Sequence, residues 1–191
     1  MKYNIEEEKT VQLGERELVS QDSGKELFPV VDESGNVLDC MTRHEAHCGT
    51  KRLHPVVHLH VYNSEGKLYL QCRAPWKEVQ PGKWDTATGG HIDYGETVSE
   101  ALPREVYEEI GLQQQQYSPR LLGKYVYESD IERELVYVFA TVFDGSLSPS
   151  ATETSGGKFW SMAELQSAIS TNVLTPMLEK ELERMKLLTL Y

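Results

Sequence analysis

Three glutamates in the middle of the chain, Glu105, Glu108 and Glu109, have a spacing that could bind a metal ion and phosphate. At positions i, i+3 and i+4 of a helix, their carboxylates share one edge. Gathering three negative charges destabilises a helix at neutral pH, and a hard divalent cation would offset that cost. Mg²⁺ binds through one or two carboxylates together with substrate phosphate oxygens. The three glutamates alone are also compatible with an acidic face exposed to solvent.

The residues around the glutamates predict the helix that positions them. Thr97-x-x-Glu100 forms a capping box that starts a helix at Val98, and Gly111 is placed to end it in the left-handed conformation. An apolar edge beside the glutamates predicts packing against a sheet; it consists of Val98, Leu102, Val106 and Ile110. Pro103 removes a backbone donor inside this helix, so we expect a kink or a late helix start near it.

The glutamates belong to a longer pattern with fixed spacing. Its seven fixed residues are Gly90, Glu96, Arg104, Glu105, Glu108, Glu109 and Gly111. This pattern resembles the signature of the Nudix superfamily, and the agreement of all seven makes a merely solvated face the weaker interpretation. The resemblance implies an α/β fold, the Nudix α/β/α sandwich with a mixed β-sheet between helices.

The same resemblance implies a reaction and roles for individual residues. The reaction is the Mg²⁺- or Mn²⁺-dependent hydrolysis of a diphosphate bond in a nucleoside diphosphate linked to another moiety. Glu105 and Glu109 are the expected catalytic residues, with Glu105 orienting or deprotonating water. The expected metal ligands are the Gly89 carbonyl, Glu105, Glu108, Glu109 and Glu153. Glu96 and Arg104 are expected to brace the loop by pairing with each other.

Length and charge limit the class of protein. The chain has 191 residues and a formal net charge of −11. From its length we expect an N-terminal extension (1–26) and a single Nudix domain (27–191) that includes a C-terminal helix. The negative charge argues against a nucleic-acid polymer or a membrane as partner, and the partner that the resemblance implies is a small-molecule diphosphate. The lack of a signal peptide pattern and the three cysteines without CxxC spacing predict a cytoplasmic protein. The oligomeric state is open between monomer and homodimer.

Hydrophobic patterns predict the remaining elements. They indicate a β-hairpin over 27–41, a short helix capped by Thr42, and a strand from Pro55 to Tyr62 that returns over 67–72. Later strands are predicted at 84–88, 121–127, 135–143 and 158–160, and later helices at 163–169 and from Pro176 onward.

A particular branch of the superfamily is also similar to this chain, over roughly residues 30–165. The stretch LHPVVHLHVYNSEGKLYLQCRAPWKEVQPGKWDTATGGH resembles type I isopentenyl-diphosphate isomerase and its hydrolase relatives. The resemblance implies that Arg73 and Lys77 bind the diphosphate, although both could be ordinary surface cations. It also implies a second metal site suited to Zn²⁺ or Mn²⁺, with the ligands His47, His54, His91, Glu132 and Glu134. The residue types alone favour a structural role for each histidine on a strand.

Two departures argue against the isomerase reaction. The catalytic cysteine of the isomerase falls at Gly89, which has no side chain to transfer a proton. The isomerase helix has arginine in place of Glu105 and lacks the glutamate at 108, whereas the hydrolytic set is intact here. Two alternatives stay open. One is an isomerase that uses Glu134 and Tyr127 without the cysteine, and the other is a non-catalytic ligand sensor, which the intact carboxylates disfavour.

Overall fold

The computed structural model describes residues 26–77 and 79–187. Its strands are β1 (Leu27–Val31), β2 (Val37–Thr42), β3 (Leu53–Tyr62), β4 (Leu68–Arg73), β5 (Trp84–Asp85), β6 (Thr88–His91), β7 (Arg120–Glu128), β8 (Arg133–Val142) and β9 (Thr154–Trp160). Its α-helices are α1 (Arg43–His47), α2 (Val98–Ile110), α3 (Met162–Ala168) and α4 (Pro176–Arg184), and Gln114–Gln116 forms a 3₁₀ turn. Apart from Glu26, the predicted N-terminal extension lies outside the described residues.

Strand β3 is the centre of a mixed sheet. It pairs in parallel with β8 along its whole length, and it pairs antiparallel with β6 and β4 on its other side. Strand β7 continues the sheet beyond β8, while β5 and β9 both pair with β4. The hairpin of β1 and β2 forms a separate two-stranded sheet, as the sequence predicts. Every residue of β3 is buried, as expected for a strand covered on both faces.

Helices cover the two faces of this sheet. One core joins strand residues to α2 and contains Val57, Leu59, Val61, Leu102, Val106 and Ile110. The opposite core joins the sheet to α3 and α4 and contains Tyr62, Leu70, Leu165, Leu178 and Leu182. Alternate residues of β3 therefore face opposite helices, in keeping with the period of two in a strand. The predicted α/β/α sandwich is confirmed. Within the described part of the chain, no helix has the length and apolar character needed to cross a membrane.

The prediction of one strand over 84–88 is wrong. The structure instead has the two-residue β5 and a separate strand, β6, which includes Gly89 and Gly90. Glycine has a low strand propensity, so the local pattern hides β6. Its ladder with residues Val56 to Leu59 of β3 is what holds this segment in the sheet.

The predicted boundaries of α2 are confirmed. Thr97 and Glu100 form the capping box, and Gly111 ends the helix with φ of 69°. Because the helix begins at Val98 and includes Pro103, the late start considered for this proline does not occur.

Two glycines allow side chains to approach β6 from both faces. A Cβ atom at Gly90 would overlap the carboxyl group of Glu105 in α2. A Cβ atom at Gly89 would lie 3.2 Å from the ring of His58, which reaches toward α4. Successive strand residues face opposite ways, so each glycine opens one face of the sheet to an ionisable group.

A buried carboxylate fastens α4 to the sheet. Glu181 accepts hydrogen bonds from His58 Nδ1 at 2.7 Å, His60 Nε2 at 2.7 Å and the Tyr125 hydroxyl at 2.8 Å. Burial disfavours the charged form of His58, but the charge and hydrogen bond of Glu181 outweigh it and raise the pKa of His58 to about 9. Burial also opposes the charge of Glu181, yet the His58 charge and the histidine hydrogen bonds hold its pKa far below the usual range. The pair is therefore ionised at neutral pH.

We expect the stabilising contribution of His58 to disappear at alkaline pH. Its folded pKa of about 9 exceeds the ordinary value of 6.5, so the contribution is complete below pH 6.5 and is lost as the pH rises through 9. His58→Asn keeps a donor near Glu181 but cannot titrate. Between these pH values the wild type should lose more unfolding free energy than the variant, by more than about 1 kcal/mol. Urea denaturation of the wild type and the variant at pH 6.5 and at pH 9 measures this difference in unfolding free energy. An identical pH dependence in the two proteins would contradict the prediction.

Gly90→Ala should destabilise the fold by about 1 kcal/mol, because the new methyl group displaces the flexible end of the Glu105 side chain, which then loses its 2.7 Å contact with Arg104. Gly123→Ala in β7 is the matched control, since a Cβ there would come no closer than 3.7 Å to Met185. Urea denaturation of the two variants gives the comparison. Equal losses of stability would show that the contact with Glu105 is not the constraint at Gly90.

Candidate active site

Two of the three helix glutamates lie against β6. Glu109 is 9% exposed, and its Oε2 accepts hydrogen bonds from Gln71 Nε2 at 2.7 Å and from the Gly89 amide at 3.4 Å. The side chain of Glu105 is 13% exposed, whereas that of Glu108 is 56% exposed. The helix therefore presents one carboxylate to solvent and two to the sheet.

Burial disfavours the ionised form of the two inner carboxyl groups, those of Glu105 and Glu109. It raises the pKa of Glu109 to about 8, with the Gln71 hydrogen bond opposing it and the charges of Glu105 and Glu153 adding to it. Burial also raises the pKa of Glu105 to about 7, against the opposing charge of Arg104. A divalent cation would favour the ionised form of both groups. This set of oxygen donors fits Mg²⁺ or Mn²⁺.

Arg104 connects the loop before α2 to the helix. Its Nε and Nη2 donate to the two oxygens of Glu96 at 2.8 and 2.7 Å, and Nη2 also donates to the His91 carbonyl at 3.0 Å. Its Nη1 donates to Glu105 at 2.7 Å and to Glu108 at 3.3 Å. The sequence prediction included the pairing with Glu96, and the structure adds direct contacts that orient the helix carboxylates.

Arg73 and Lys77, the predicted diphosphate-binding pair, contact acidic groups in the structure. Arg73 donates to the Val79 carbonyl at 3.0 Å and to Asp85 at 3.3 Å. Lys77 forms an ion pair with Glu153, one of the predicted metal ligands. The two cations thus have separate partners, and a diphosphate held by both would have to compete with these contacts.

Three histidines from distant parts of the sequence converge beside β6. One ligand nitrogen each of His47, His54 and His91 lies within 4.8 Å of the others. The Nδ1 atoms of His47 and His54 each lie 3.0 Å from a backbone carbonyl, which leaves their Nε2 atoms available to a ligand. Within the part of the chain that the structure describes, the Nε2 atoms of His54 and His91 are buried without a hydrogen-bond partner. Burial lowers the pKa of His54 to about 4 and that of His91 well below its usual value, so both rings are neutral, the form that binds metals.

Two carboxylates adjoin these histidines. Glu132 Oε2 lies 3.4 Å from His47 Nε2, and Glu134 Oε1 lies 3.9 Å from His54 Nε2. Burial raises the pKa of Glu132 and raises that of Glu134 to about 8. Among the described residues, Glu134 Oε2 is buried without a hydrogen-bond partner. The structure thus brings together all five residues of the second predicted metal site. Their unpartnered nitrogen and oxygen atoms fit Zn²⁺ or Mn²⁺.

Sequence reasoning missed several neighbours of these groups. Gln71 has no local signal, because its contact with Glu109 arises only when β4 lies across from α2. The alternation of His58 and His60 in VVHLHVY places both on one face of a strand and could have indicated a shared partner. That partner, Glu181, belongs to the last helix and is not indicated by the strand pattern.

Comparisons with known proteins agree with this architecture. The profile of the NUDIX domain matches residues 52–180. An isopentenyl-diphosphate Delta-isomerase 1 from Photorhabdus laumondii is 31% identical over 159 residues, which cover 80% of this chain and 90% of that protein. An uncharacterised Nudix hydrolase from Nostoc sp. is 37% identical over 98 residues, which cover 51% of this chain and 58% of that protein.

Structural similarity leads to the same assignment. The crystal structure of DR0079 from Deinococcus radiodurans has a TM-score of 0.74 and 25% sequence identity, and the match covers 84% of this chain and 99% of that one. The domain match extends over more than half of the sequence, and both the sandwich and the glutamate helix agree with it. The chain therefore belongs to the Nudix family.

Proposed function

We propose that this chain hydrolyses a diphosphate bond in a nucleoside diphosphate linked to another moiety, with Mg²⁺ or Mn²⁺ as its cofactor. The observation that carries the proposal is the packing of Glu105 and Glu109 against the glycines of β6, beside the exposed Glu108. Burial raises the pKa values of the two inner carboxyls, and a bound cation would favour the ionised form of both. Family membership and the hydrolase relatives support the reaction type.

We assign the cation to Glu108, Glu109 and the Gly89 carbonyl, with Glu153 as a further ligand from the loop before β9. A bound Mg²⁺ or Mn²⁺ neutralises diphosphate charge and increases the acidity of water. Glu153 would exchange its ion pair with Lys77 for this role, which frees the lysine to bind the diphosphate together with Arg73.

Glu105 is the residue we assign to orient and deprotonate the attacking water. Its pKa of about 7 suits a base that acts near neutral pH. Arg104 holds Glu105 Oε1 at 2.7 Å, which leaves Oε2 for the water. The same arginine pairs with both oxygens of Glu96 in the loop before α2. The position of Glu105 therefore depends on this loop.

Glu105→Gln and Glu109→Gln should each lower metal-dependent diphosphate hydrolysis by at least about 100-fold, because an amide neither takes the proton nor supplies a charged ligand. Glu100→Gln is the matched control on the same helix, since glutamine retains the capping function. The assay separates the phosphomonoester and phosphate products by chromatography after incubation with a panel of nucleotide sugars, dinucleotides, nucleoside di- and triphosphates and prenyl diphosphates. Near wild-type rates in both active-site variants would remove the proposed site.

A second candidate is an isomerase-like reaction on a prenyl diphosphate. The convergence of three histidines with Glu132 and Glu134 favours it, as does the similarity to the Photorhabdus isomerase. Gly89 stands against it, because that position provides no group to transfer a proton. Incubation with isopentenyl diphosphate separates the candidates: an allylic product without phosphate release supports isomerisation, and phosphate release without an allylic product supports hydrolysis.

We further propose that the cluster of His47, His54 and His91 binds Zn²⁺ or Mn²⁺. His47→Gln should weaken the binding of this ion by at least about tenfold, because it removes a nitrogen ligand. His44→Gln, on the exposed side of the same short helix, should leave the affinity unchanged. Isothermal titration calorimetry of the metal-stripped protein measures both variants. Equal affinities in wild type and His47→Gln would instead establish the histidines as structural.

A further inference from the structure

Trp76 differs from the other two tryptophans of the chain in its exposure. Trp160 is 8% exposed and packs edge to face against Trp84, with ring centroids 5.1 Å apart. Trp76, in the loop between β4 and β5, is 64% exposed. A single exposed apolar residue is common on protein surfaces, so exposure alone assigns no role to Trp76. Its contacts and its position in the fold are more informative.

Two loops hold the indole of Trp76. Its Nε1 donates a hydrogen bond to the Thr152 carbonyl at 3.3 Å, in the loop before β9. The Lys77 amide donates to the Ala74 carbonyl at 3.1 Å, and the Ala74 amide donates to the Glu153 carbonyl at 3.4 Å. A hydrogen bond through Nε1 lies in the plane of the indole and uses neither of its flat faces. The ring is therefore fixed at one edge, and a ligand that stacks on a face would have to order little more of the protein.

The same two loops carry residues that we assign to the diphosphate and to the cation. Trp76 lies between Arg73 and Lys77 in the sequence, and Thr152 directly precedes Glu153. Lys77 and Glu153 form an ion pair that joins the two loops. The indole is thus attached to the rim of the proposed site, next to Lys77 on one loop and bonded to the neighbour of Glu153 on the other.

Strand β4 connects this rim to the helix carboxylates. Gln71 of β4 donates to Glu109 at 2.7 Å, and Arg73, the last residue of the same strand, pairs with Thr154 of β9. In a nucleoside diphosphate a ribose separates the base from the phosphates. A substrate whose diphosphate lies among the carboxylates would therefore place its base away from them, at the rim where Trp76 is exposed.

We propose that Trp76 is a specificity-determining residue whose indole stacks on the nucleobase of the substrate. This inference rests on the proposed hydrolase function, and it names the part of the substrate that the rim of the site recognises. Stacking on an indole accepts any planar base, because every base has a flat π face. Trp76 therefore selects nucleoside diphosphates as a class, over inorganic diphosphate and over diphosphates with a flexible aliphatic chain.

Three variants separate stacking from support of the loops. Trp76→Leu removes the planar ring and keeps an apolar side chain, whereas Trp76→Phe keeps a planar ring. Both lose the hydrogen bond to the Thr152 carbonyl, so they differ chiefly in the flat face that they present. Tyr107→Leu is the matched control, because Tyr107 is an aromatic residue on α2 that is 59% exposed and belongs to neither loop.

The first test compares the affinities for α,β-methylene-ADP and for methylenediphosphonate, two ligands whose phosphorus–carbon bridge resists hydrolysis. Both are titrated calorimetrically in the presence of Mg²⁺. We expect the Kd of the nucleotide to rise about tenfold in Trp76→Leu and to stay within about threefold in Trp76→Phe and Tyr107→Leu, as base stacking on an aromatic ring predicts. The Kd of methylenediphosphonate, which has no base, should stay within about twofold in all three variants.

Several results would overturn the contact. An equal loss for both ligands in Trp76→Leu would show that the indole only supports the loops. An equal loss of nucleotide affinity in Trp76→Leu and Trp76→Phe would assign the effect to the hydrogen bond with Thr152. An equal loss for isopentenyl diphosphate would show that the indole contacts an apolar chain and not a base. Because binding is measured directly, a protein that binds the nucleotide through Trp76 but hydrolyses nothing would contradict only the proposed reaction.

A second measurement uses the indole itself as the probe. A purine stacked on an indole quenches its fluorescence, so α,β-methylene-ADP with Mg²⁺ should quench the emission of the unmodified chain as it binds. In Trp76→Phe the remaining emission comes from Trp84 and Trp160, which pack against each other, and this emission should stay unchanged on nucleotide binding. Unchanged emission of the wild type at saturating nucleotide, or equal quenching in Trp76→Phe, would overturn the inference, as would the absence of any nucleotide binding.

Discussion

The absence of side chains on two successive residues of β6 is the constraint on which the site depends. Gly90 admits the carboxyl of Glu105 on the α2 face, and Gly89 admits the ring of His58 on the α4 face. A strand normally uses alternate side chains to fill the cores on its two sides. At Gly90 and Gly89 these places are taken by Glu105 of α2 and His58 of β3. The backbone of β6 therefore separates a carboxyl group on one face from an imidazole on the other.

The buried carboxylates in this region differ in the number of hydrogen bonds that they accept from the protein. This number indicates which of them could still bind a ligand. Glu181 accepts three hydrogen bonds from protein donors and is held ionised. Among residues 26–77 and 79–187, Glu109 has only Gln71 and a long contact to the Gly89 amide, and its pKa is raised. One oxygen of Glu134 has no hydrogen-bond partner in the same described residues. Because an unpaired buried charge is costly, we interpret Glu181 as structural support, and we connect Glu109 and Glu134 with the cation sites proposed above.

The sequence was informative where local patterns determine structure and silent where distant segments meet. The spacing of Thr97, Glu100 and Gly111 predicted both ends of α2, since capping depends on neighbouring residues. Strand β6 was missed because its glycines carry no strand pattern and are held by pairing with β3. The roles of the glutamates came from resemblance, and no pattern in the chain indicates that Gln71 or Glu181 would approach the same strand. Those contacts depend on the packing of helices against the sheet.

The glycine at position 89 also connects the departure from the isomerase pattern to the rest of the molecule. A cysteine there would place its Cβ 3.2 Å from the His58 ring, so the thiol and this ring position are compatible only if the ring gives way. The ring is held by Glu181, whose other bonds to His60 and Tyr125 join β3, β7 and α4. Movement of His58 would therefore disturb a buried ionic network that fastens the last helix. Gly89, which stands at the position of the isomerase cysteine, and the network that holds His58 thus form one structural unit.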